Sequence, residues 1–201
     1  ATLSAIAAAL GDMGTAGGFA GPDFIETLPR AYEWLVVPAA NRYGLDPNLL
    51  LAVMRVESVY QKHIVSYAGA VGLMQIMPRT GQLIAQALGE EDFTPADLLD
   101  PRVNLEFAAW YLASLLQRFD GHLPLAIAAY NGGPHNVRRW IQESALETPL
   151  DVLLERIPFS QTHRYVRKVL VNYRSYRQQH DLPMPQLSVA LPSPRIDPLA
   201  F

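Results

Sequence analysis

One carboxylate in this sequence occupies a helical position where a hydrophobic residue is expected. Leu50, Val53 and Met54 recur with the spacing of the buried face of an amphipathic helix, and Glu57 takes the next position of that stripe. Burial of a carboxyl group favours its protonated form, which a general acid needs near neutral pH. The spacing leaves a second interpretation open, in which Glu57 is a structural residue bonded to backbone donors or paired with a base such as Arg55.

The sequence after Glu57 lacks a second carboxylate. No Asp or Glu occurs from Ser58 through Gly89. A glycosidase of the usual design places two carboxylates, about 5 to 9.5 Å apart, on either side of the scissile bond. Two interpretations follow. Either Glu57 is structural, or the chemistry needs only one carboxylate because an N-acetyl group of the substrate stabilises the reacting sugar in place of the second.

Other catalytic chemistries lack their motifs. The five histidines are scattered, no H-E-x-x-H motif occurs and cysteine is absent, so we predict neither a zinc site nor a cofactor. No G-x-S-x-G elbow or phosphate-binding loop is present. The formal net charge of −3 gives no indication of a nucleic-acid partner. No apolar run reaches the roughly 18 residues of a membrane span, so none is predicted in this chain.

Helical periodicity dominates the chain, and the predicted fold class is all-α with at most a minimal β hairpin. Two Asp-Pro pairs, at positions 46–47 and 100–101, provide a helix N-cap followed by a first-turn proline. The only β element expected is a short turn between Gln61 and Ala70. The helices predicted with both ends are Tyr32–Tyr43, Val103–Phe119, Leu123–Tyr130 and His163–His180.

Composition predicts three parts of the chain. Residues 1–27 form a helical and Gly-rich segment, residues 28–180 form the main domain, and residues 181–201 form a Pro-rich tail. The tail is either disordered or an arm laid over the domain. The apolar opening has no basic n-region, which favours a helix of a processed or truncated chain over a signal peptide.

Several motifs follow one another in an order typical of one enzyme family. Glu57-Ser58 is followed by SYAGAVGLMQIMP, which starts at Ser66, and by AAYNGGP, which starts at Ala128. Two weaker matches are Asp100-Pro101 with Asn104 and Tyr111-Leu112, and the segment 155–166. Together, over about residues 28–176, they resemble the Slt-type soluble lytic transglycosylases.

This resemblance implies a lysozyme-like α domain with a long groove that holds a peptidoglycan glycan strand. It implies that Glu57 is the single catalytic acid/base, cleaving the bond between N-acetylmuramic acid and N-acetylglucosamine with formation of a 1,6-anhydro end. It also implies a periplasmic or cell-envelope location, and it makes residues 1–27 a remnant of a preceding helical domain. The substrate-binding residues that it implies are Ser58, Ser66, Met74, Gln75, Met77, Tyr130, Asn131, Gln161 and Tyr165.

Several of these residues have a structural explanation as well. Met74 and Met77 suit a hydrophobic core, the Gln75 amide needs a partner that is either backbone or ligand, and Asn131-Gly132-Gly133-Pro134 reads as a helix stop. Gln161-Thr162-His163 stands where the family commonly has Glu-Thr-Arg, which leaves recognition of the peptide stem open. Two alternative functions remain: a hydrolase of the same bond, or an inactive module that binds glycan.

Overall fold

The computed structural model describes residues 28–144, 148–186 and 191. The α-helices in this part of the chain are α1 (Glu33–Arg42), α2 (Pro47–Ser58), α3 (Pro78–Leu88), α4 (Pro101–Arg118), α5 (Leu123–Gly132), α6 (Pro134–Glu143), α7 (Leu150–Glu155) and α8 (Ser160–Gln178). A short 3-10 helix, Pro95–Leu99, precedes α4. The described residues contain no strand, only isolated antiparallel bridges from Val71 to Val65 and to Ile76. The predicted all-α class with a minimal β element is confirmed.

Both Asp-Pro pairs begin helices as predicted. Asp46 caps α2, and its carboxylate accepts a hydrogen bond from the backbone N–H of Asn48 at 2.9 Å. Asp100 plays the same part before α4, where its carboxylate accepts from the N–H of Arg102 at 2.8 Å. A side-chain acceptor of this kind satisfies one of the N–H groups left open in the first helical turn.

Three helices were not predicted, and one predicted helix is longer than expected. Helix α5 continues two residues past the predicted end at Tyr130, and it ends within the predicted stop segment, where the chain turns at Gly133 with φ 85°. Pro134 is the first residue of α6, and Pro78 likewise starts α3, because proline lacks only an N–H that is unpaired in the first turn. The third unpredicted helix is α7.

The chain forms two compact units. The first is Arg30–Ser114, and the second contains the described residues from Leu115 onward together with Leu28 and Pro29. The predicted limits at residues 27/28 and 180/181 stay predictions, since residues 1–27, including the first predicted helix, and most of the tail lie outside the described residues.

In the Arg30–Ser114 unit, α1 packs on α2 and α3 packs on the 3-10 helix. Leu50, Val53 and Met54, the predicted buried stripe of α2, have no exposed surface. Phe93 contacts Phe107 with ring centroids 5.0 Å apart. Burial of this stripe fixes the rotation of α2, and so the direction in which its last turn points.

In the unit that begins at Leu115, α5 packs against both α6 and α8. Helix α5 is buried along almost its whole length, from Leu123 to Ala129. The hydroxyl of Tyr176, on α8, donates to the carbonyl of Pro29 at 2.9 Å. No helix among the described residues has the length and apolar character needed to cross a membrane.

Candidate active site

Helix α2 carries Glu57 in its last turn. The Asp46 cap and Pro47 define the start of this helix, and its buried stripe holds it against the core. Glu57 itself is half-buried, whereas Ser58 is 2 % exposed and donates a hydrogen bond to the carbonyl of Met54. The carboxylate is thus positioned by a rigid element yet retains access to solvent, which the spacing alone did not indicate.

The backbone immediately after Glu57 and Ser58 adopts a strained conformation. Val59 and Tyr60 both have left-handed backbone angles, with φ values of 49° and 64°. Each such residue costs on the order of 1–3 kcal/mol, and the conformation is especially unfavourable for a β-branched valine. Strain of this kind persists where the surrounding fold over-determines it, which is common beside functional groups.

A tight turn follows this strained segment. The N–H of Ser66 donates to the carbonyl of Ala70 at 2.8 Å, and the N–H of Ala70 donates back to the hydroxyl oxygen of Ser66 at 2.9 Å. Tyr67, at the tip, is fully exposed. Ser66, predicted to bind substrate, therefore uses its hydroxyl to close a turn in this structure.

The segment from Val71 to Met77, called here the GLMQ turn, carries three of the predicted binding residues. Gln75 has a left-handed φ of 49°, and its Nε2 donates to the carbonyls of Gly72 at 2.9 Å and Ile64 at 3.3 Å. Met74 is completely buried, while Met77 is 42 % exposed. The nitrogen of the Gln75 amide thus has backbone partners, and of the two methionines only Met77 presents surface to a ligand.

Asn104 on α4 holds the GLMQ turn and was not predicted as a site residue. Its Oδ1 accepts a hydrogen bond from the Met74 N–H at 2.7 Å, and its Nδ2 donates to the carbonyls of Val71 and Leu98, each at 2.9 Å. The side chain is completely buried. The one signal in the sequence was its place in the weak motif that begins at Asp100.

The other carboxylates of the Arg30–Ser114 unit have structural partners or face solvent. Those of Asp46 and Asp100 cap helices, as described above. Glu33 pairs with Arg30, Asp97 forms a capping box with Thr94, and Glu106 accepts from Arg42 and Tyr43. The remaining three, at positions 90, 91 and 92, are exposed. These eight carboxylates therefore have structural roles or lie at the exposed surface, and Glu57 is half-buried in the last turn of α2.

The four remaining predicted residues belong to the unit that begins at Leu115. Tyr130 and Asn131 lie in the last turn of α5, both half-buried, and the Asn131 Oδ1 accepts from the hydroxyl of Thr162 at 2.9 Å. Gln161, in the first turn of α8, is exposed, whereas Tyr165 is 6 % exposed. The Thr162 contact brings Asn131 close to the first turn of α8.

Two further features bear on the expected chemistry. His163, at the position where the resemblance expected arginine, has its Nε2 3.8 Å from a carboxylate oxygen of Glu155. Among the described residues, no group of three or more His, Cys, Asp or Glu side chains could hold a metal ion.

Comparisons with known proteins place this chain in a family. The family profile described as "Transglycosylase SLT domain" matches residues 35–148, more than half of the chain. The soluble lytic murein transglycosylases of Salmonella typhimurium and Escherichia coli K12 are each 35% identical to it over 153 residues. That match covers 76% of this chain but 24% of each relative, so the chain spans about a quarter of the length of these relatives.

Solved structures give the same result. The 70-kDa soluble lytic transglycosylase of Escherichia coli matches with a TM-score of 0.79 at 31% identity, over 85% of this chain and 28% of that protein. An inactive glutamate-to-glutamine mutant of the lytic transglycosylase Slt from Pseudomonas aeruginosa matches with a TM-score of 0.74 at 34% identity, over 80% of this chain and 26% of that protein. These proteins are therefore similar to this chain in amino-acid sequence as well as in fold.

Proposed function

Since the chain belongs to the transglycosylase SLT domain family, we propose that it is the catalytic domain of a peptidoglycan lytic transglycosylase. It cleaves the β-1,4 bond between N-acetylmuramic acid and N-acetylglucosamine and leaves 1,6-anhydro-N-acetylmuramic acid ends. One observation carries the proposal: Glu57 is half-buried in the last turn of α2, a helix held by its Asp46 cap and its buried stripe.

The proposed mechanism uses one carboxyl group twice. Protonated Glu57 donates its proton to the glycosidic oxygen as the bond to C1 breaks, and the N-acetylglucosamine product leaves with a new hydroxyl group. The N-acetyl carbonyl of the muramoyl residue stabilises the positive charge that develops at C1. Ionised Glu57 then takes the proton of the C6 hydroxyl, whose oxygen bonds to C1. Glu57 is protonated again, and no water is consumed.

The intramolecular nucleophile explains why a second protein carboxylate is not required. The C6 hydroxyl belongs to the sugar under attack, so its effective concentration at C1 greatly exceeds that of a free reactant. A retaining hydrolase needs a carboxylate nucleophile and an inverting one needs a base to activate water. In the Arg30–Ser114 unit, the carboxylates of Glu33, Asp46, Asp97, Asp100 and Glu106 cap helices or pair with neighbouring side chains, and those at positions 90, 91 and 92 are exposed.

The predicted binding residues divide by exposure into two roles. We propose that those with accessible surface contact the glycan, and that the buried ones hold them in place. Tyr and Gln side chains suit the first role because they combine apolar surface with hydrogen-bonding groups. The contact residues are Ser66, Gln75, Met77, Tyr130, Asn131 and Gln161, and the supporting residues are Ser58, Met74 and Tyr165.

The proposed substrate also indicates where the protein acts. The relatives are named for murein, so we propose a periplasmic or cell-envelope location for this chain. The inactive glutamate-to-glutamine mutant of the Pseudomonas aeruginosa enzyme supports a mechanism that depends on a glutamate.

The test is to digest purified sacculi with the protein and determine the masses of the released muropeptides. Anhydro products, lighter than hydrolytic products by one water molecule, are expected from the wild-type chain and not from Glu57→Gln. Fragments with reducing ends as the main product would overturn the proposal in favour of a hydrolase. Sacculi that bind the protein but release no fragments would support the glycan-binding module.

A further inference from the structure

The side chain of Asn104 uses both ends of its amide on three backbone groups. It accepts from the Met74 N–H and donates to the carbonyls of Val71 and Leu98. All three bonds are between 2.7 and 2.9 Å long, and the side chain is completely buried. Buried polar side chains with satisfied partners specify one local arrangement, because any displacement leaves buried groups unpaired.

Gly72 shows how closely the GLMQ turn approaches Asn104. A Cβ atom at this position would lie 2.6 Å from the Asn104 Nδ2 and 2.5 Å from the Leu98 carbonyl oxygen. The backbone φ of Gly72 is +78°, which also disfavours a side chain. The turn can therefore meet Asn104 only because residue 72 is a glycine.

The same turn is held from its other side. The Gly72 N–H donates to the carbonyl of Ile64 at 2.9 Å, and the Gln75 amide bonds to the carbonyls of Ile64 and Gly72. These bonds connect the turn to the segment that precedes it in sequence, whereas the Asn104 bonds connect it to α4. The Asn104 side chain thus links the turn to α4.

We propose that Asn104 is a positioning residue that sets the place of Gln75 and Met77 for glycan binding, an inference that rests on the proposed function. Asn104 does not touch the substrate itself. It fixes Val71 and Met74 on α4, and Met77 follows Met74 by three residues. Loss of this amide shifts the turn and weakens the binding of the glycan, while Glu57 stays on α2.

The experiment measures kcat and KM on soluble, uncross-linked glycan strands, well below the melting temperature of each variant. Asn104→Ala removes all three bonds, and Asn104→Asp keeps the shape and the acceptor for Met74 while losing both N–H donors. A misplaced binding group costs up to about 100-fold, so we expect KM to rise at least about tenfold in each variant. A merely structural role lowers the folded fraction and therefore the apparent kcat, with KM unchanged.

Asn48→Ala is the matched control. Asn48 is also a buried asparagine of the same unit, but its side chain bonds Asp46 and Arg30 and not the turn. We expect its KM to stay within about twofold of wild type. A loss of stability alone reduces the number of folded molecules but leaves the binding site of each folded molecule unchanged. If either Asn104 variant folds and keeps a wild-type KM, or if Asn48→Ala raises KM equally, the proposal is overturned.

Amide hydrogen exchange separates this inference from the proposed function. The Met74 N–H loses its acceptor in Asn104→Ala, so its exchange is expected to accelerate relative to the buried amides of α2. An unchanged Met74 exchange rate contradicts the positioning role whatever the activity. A wild-type chain that releases no anhydro fragments contradicts the proposed function instead. If Asn104→Ala does not fold, Asn104→Asp and Gly72→Ala test the same contact between Asn104 and the GLMQ turn. A raised KM in these variants supports the positioning role, and a wild-type KM contradicts it.

Discussion

The hydroxyl of Thr162, in the first turn of α8, donates a hydrogen bond to the Oδ1 of Asn131, in the last turn of α5, at 2.9 Å. Thr162 is 2 % exposed, so water cannot easily replace it as the donor. Gly132 lies beside this bond, since a Cβ there would be 2.9 Å from the Thr162 hydroxyl oxygen. Glycine at position 132 therefore leaves room for the Thr162 hydroxyl beside the end of α5.

Thr162→Val should destabilise the protein by about 0.5–1.5 kcal/mol, because the shape is kept while the half-buried Asn131 oxygen loses a donor. Urea unfolding of Thr162→Val, Asn131→Ala and the double variant measures the coupling. A coupling free energy of at least about 0.5 kcal/mol is expected for residues in direct contact. Additive effects would show that the bond contributes nothing of its own.

Glu57→Gln should abolish glycan cleavage and preserve the fold. The amide is nearly isosteric with the carboxyl group but cannot donate and retrieve a proton, and general acid–base catalysis contributes about 10²–10⁴-fold. The activity of Glu57→Gln on sacculi and its circular dichroism spectrum are the measurements. Glu90→Gln, an exposed carboxylate change in the same unit, is the control and should remain active. More than about a hundredth of wild-type activity in Glu57→Gln is incompatible with the assigned role.

The phenol of Tyr43 should contribute to a loss of stability at alkaline pH. Burial, and the hydrogen bond of its hydroxyl to Glu106, raise the pKa of Tyr43 to about 12 from its ordinary value of 10.0. The folded state holds this proton more tightly than the unfolded state, so the contribution to stability is complete below about pH 10 and is lost as the pH rises through 12. Urea unfolding between these pH values should show a smaller decline for Tyr43→Phe. An identical decline would contradict the shift.

The imidazole of His122 should contribute to a loss of stability at acidic pH. Burial lowers the pKa of His122 from its ordinary value of 6.5, against the smaller effect of Asp120, which raises it. The unfolded state then binds the proton more readily, so the contribution of His122 is present above about pH 6.5 and is lost as the pH falls through the lowered pKa. His122→Phe keeps an aromatic ring without a titrating group, and its stability should decline less between pH 7 and 5. Differential scanning calorimetry across that range checks this, and equal declines would refute it.

Parts of the site were accessible from the sequence to different extents. Glu57 and the motif around Gln75 were proposed from residue types and order. The turn-closing hydrogen bond of the Ser66 hydroxyl was not foreseen, and the sequence left open whether Met74 lies in the core, because neither residue carries a local signal that separates such a position from a ligand contact. Their surroundings decide, and those come from the folded chain.

The sequence by itself determined what depends on a few neighbouring residues. An Asp-Pro pair starts a helix because the carboxylate and the proline act within one turn, and the stripe of Leu50, Val53 and Met54 is buried because one helix face must be. Only the tertiary structure decided what depends on distant partners. Asn104 meets Met74 across 30 residues and Thr162 meets Asn131 across 31, and no local pattern encodes either distance. The half-burial of Glu57 is also of this kind, because the exposure of one side chain depends on every element packed around it.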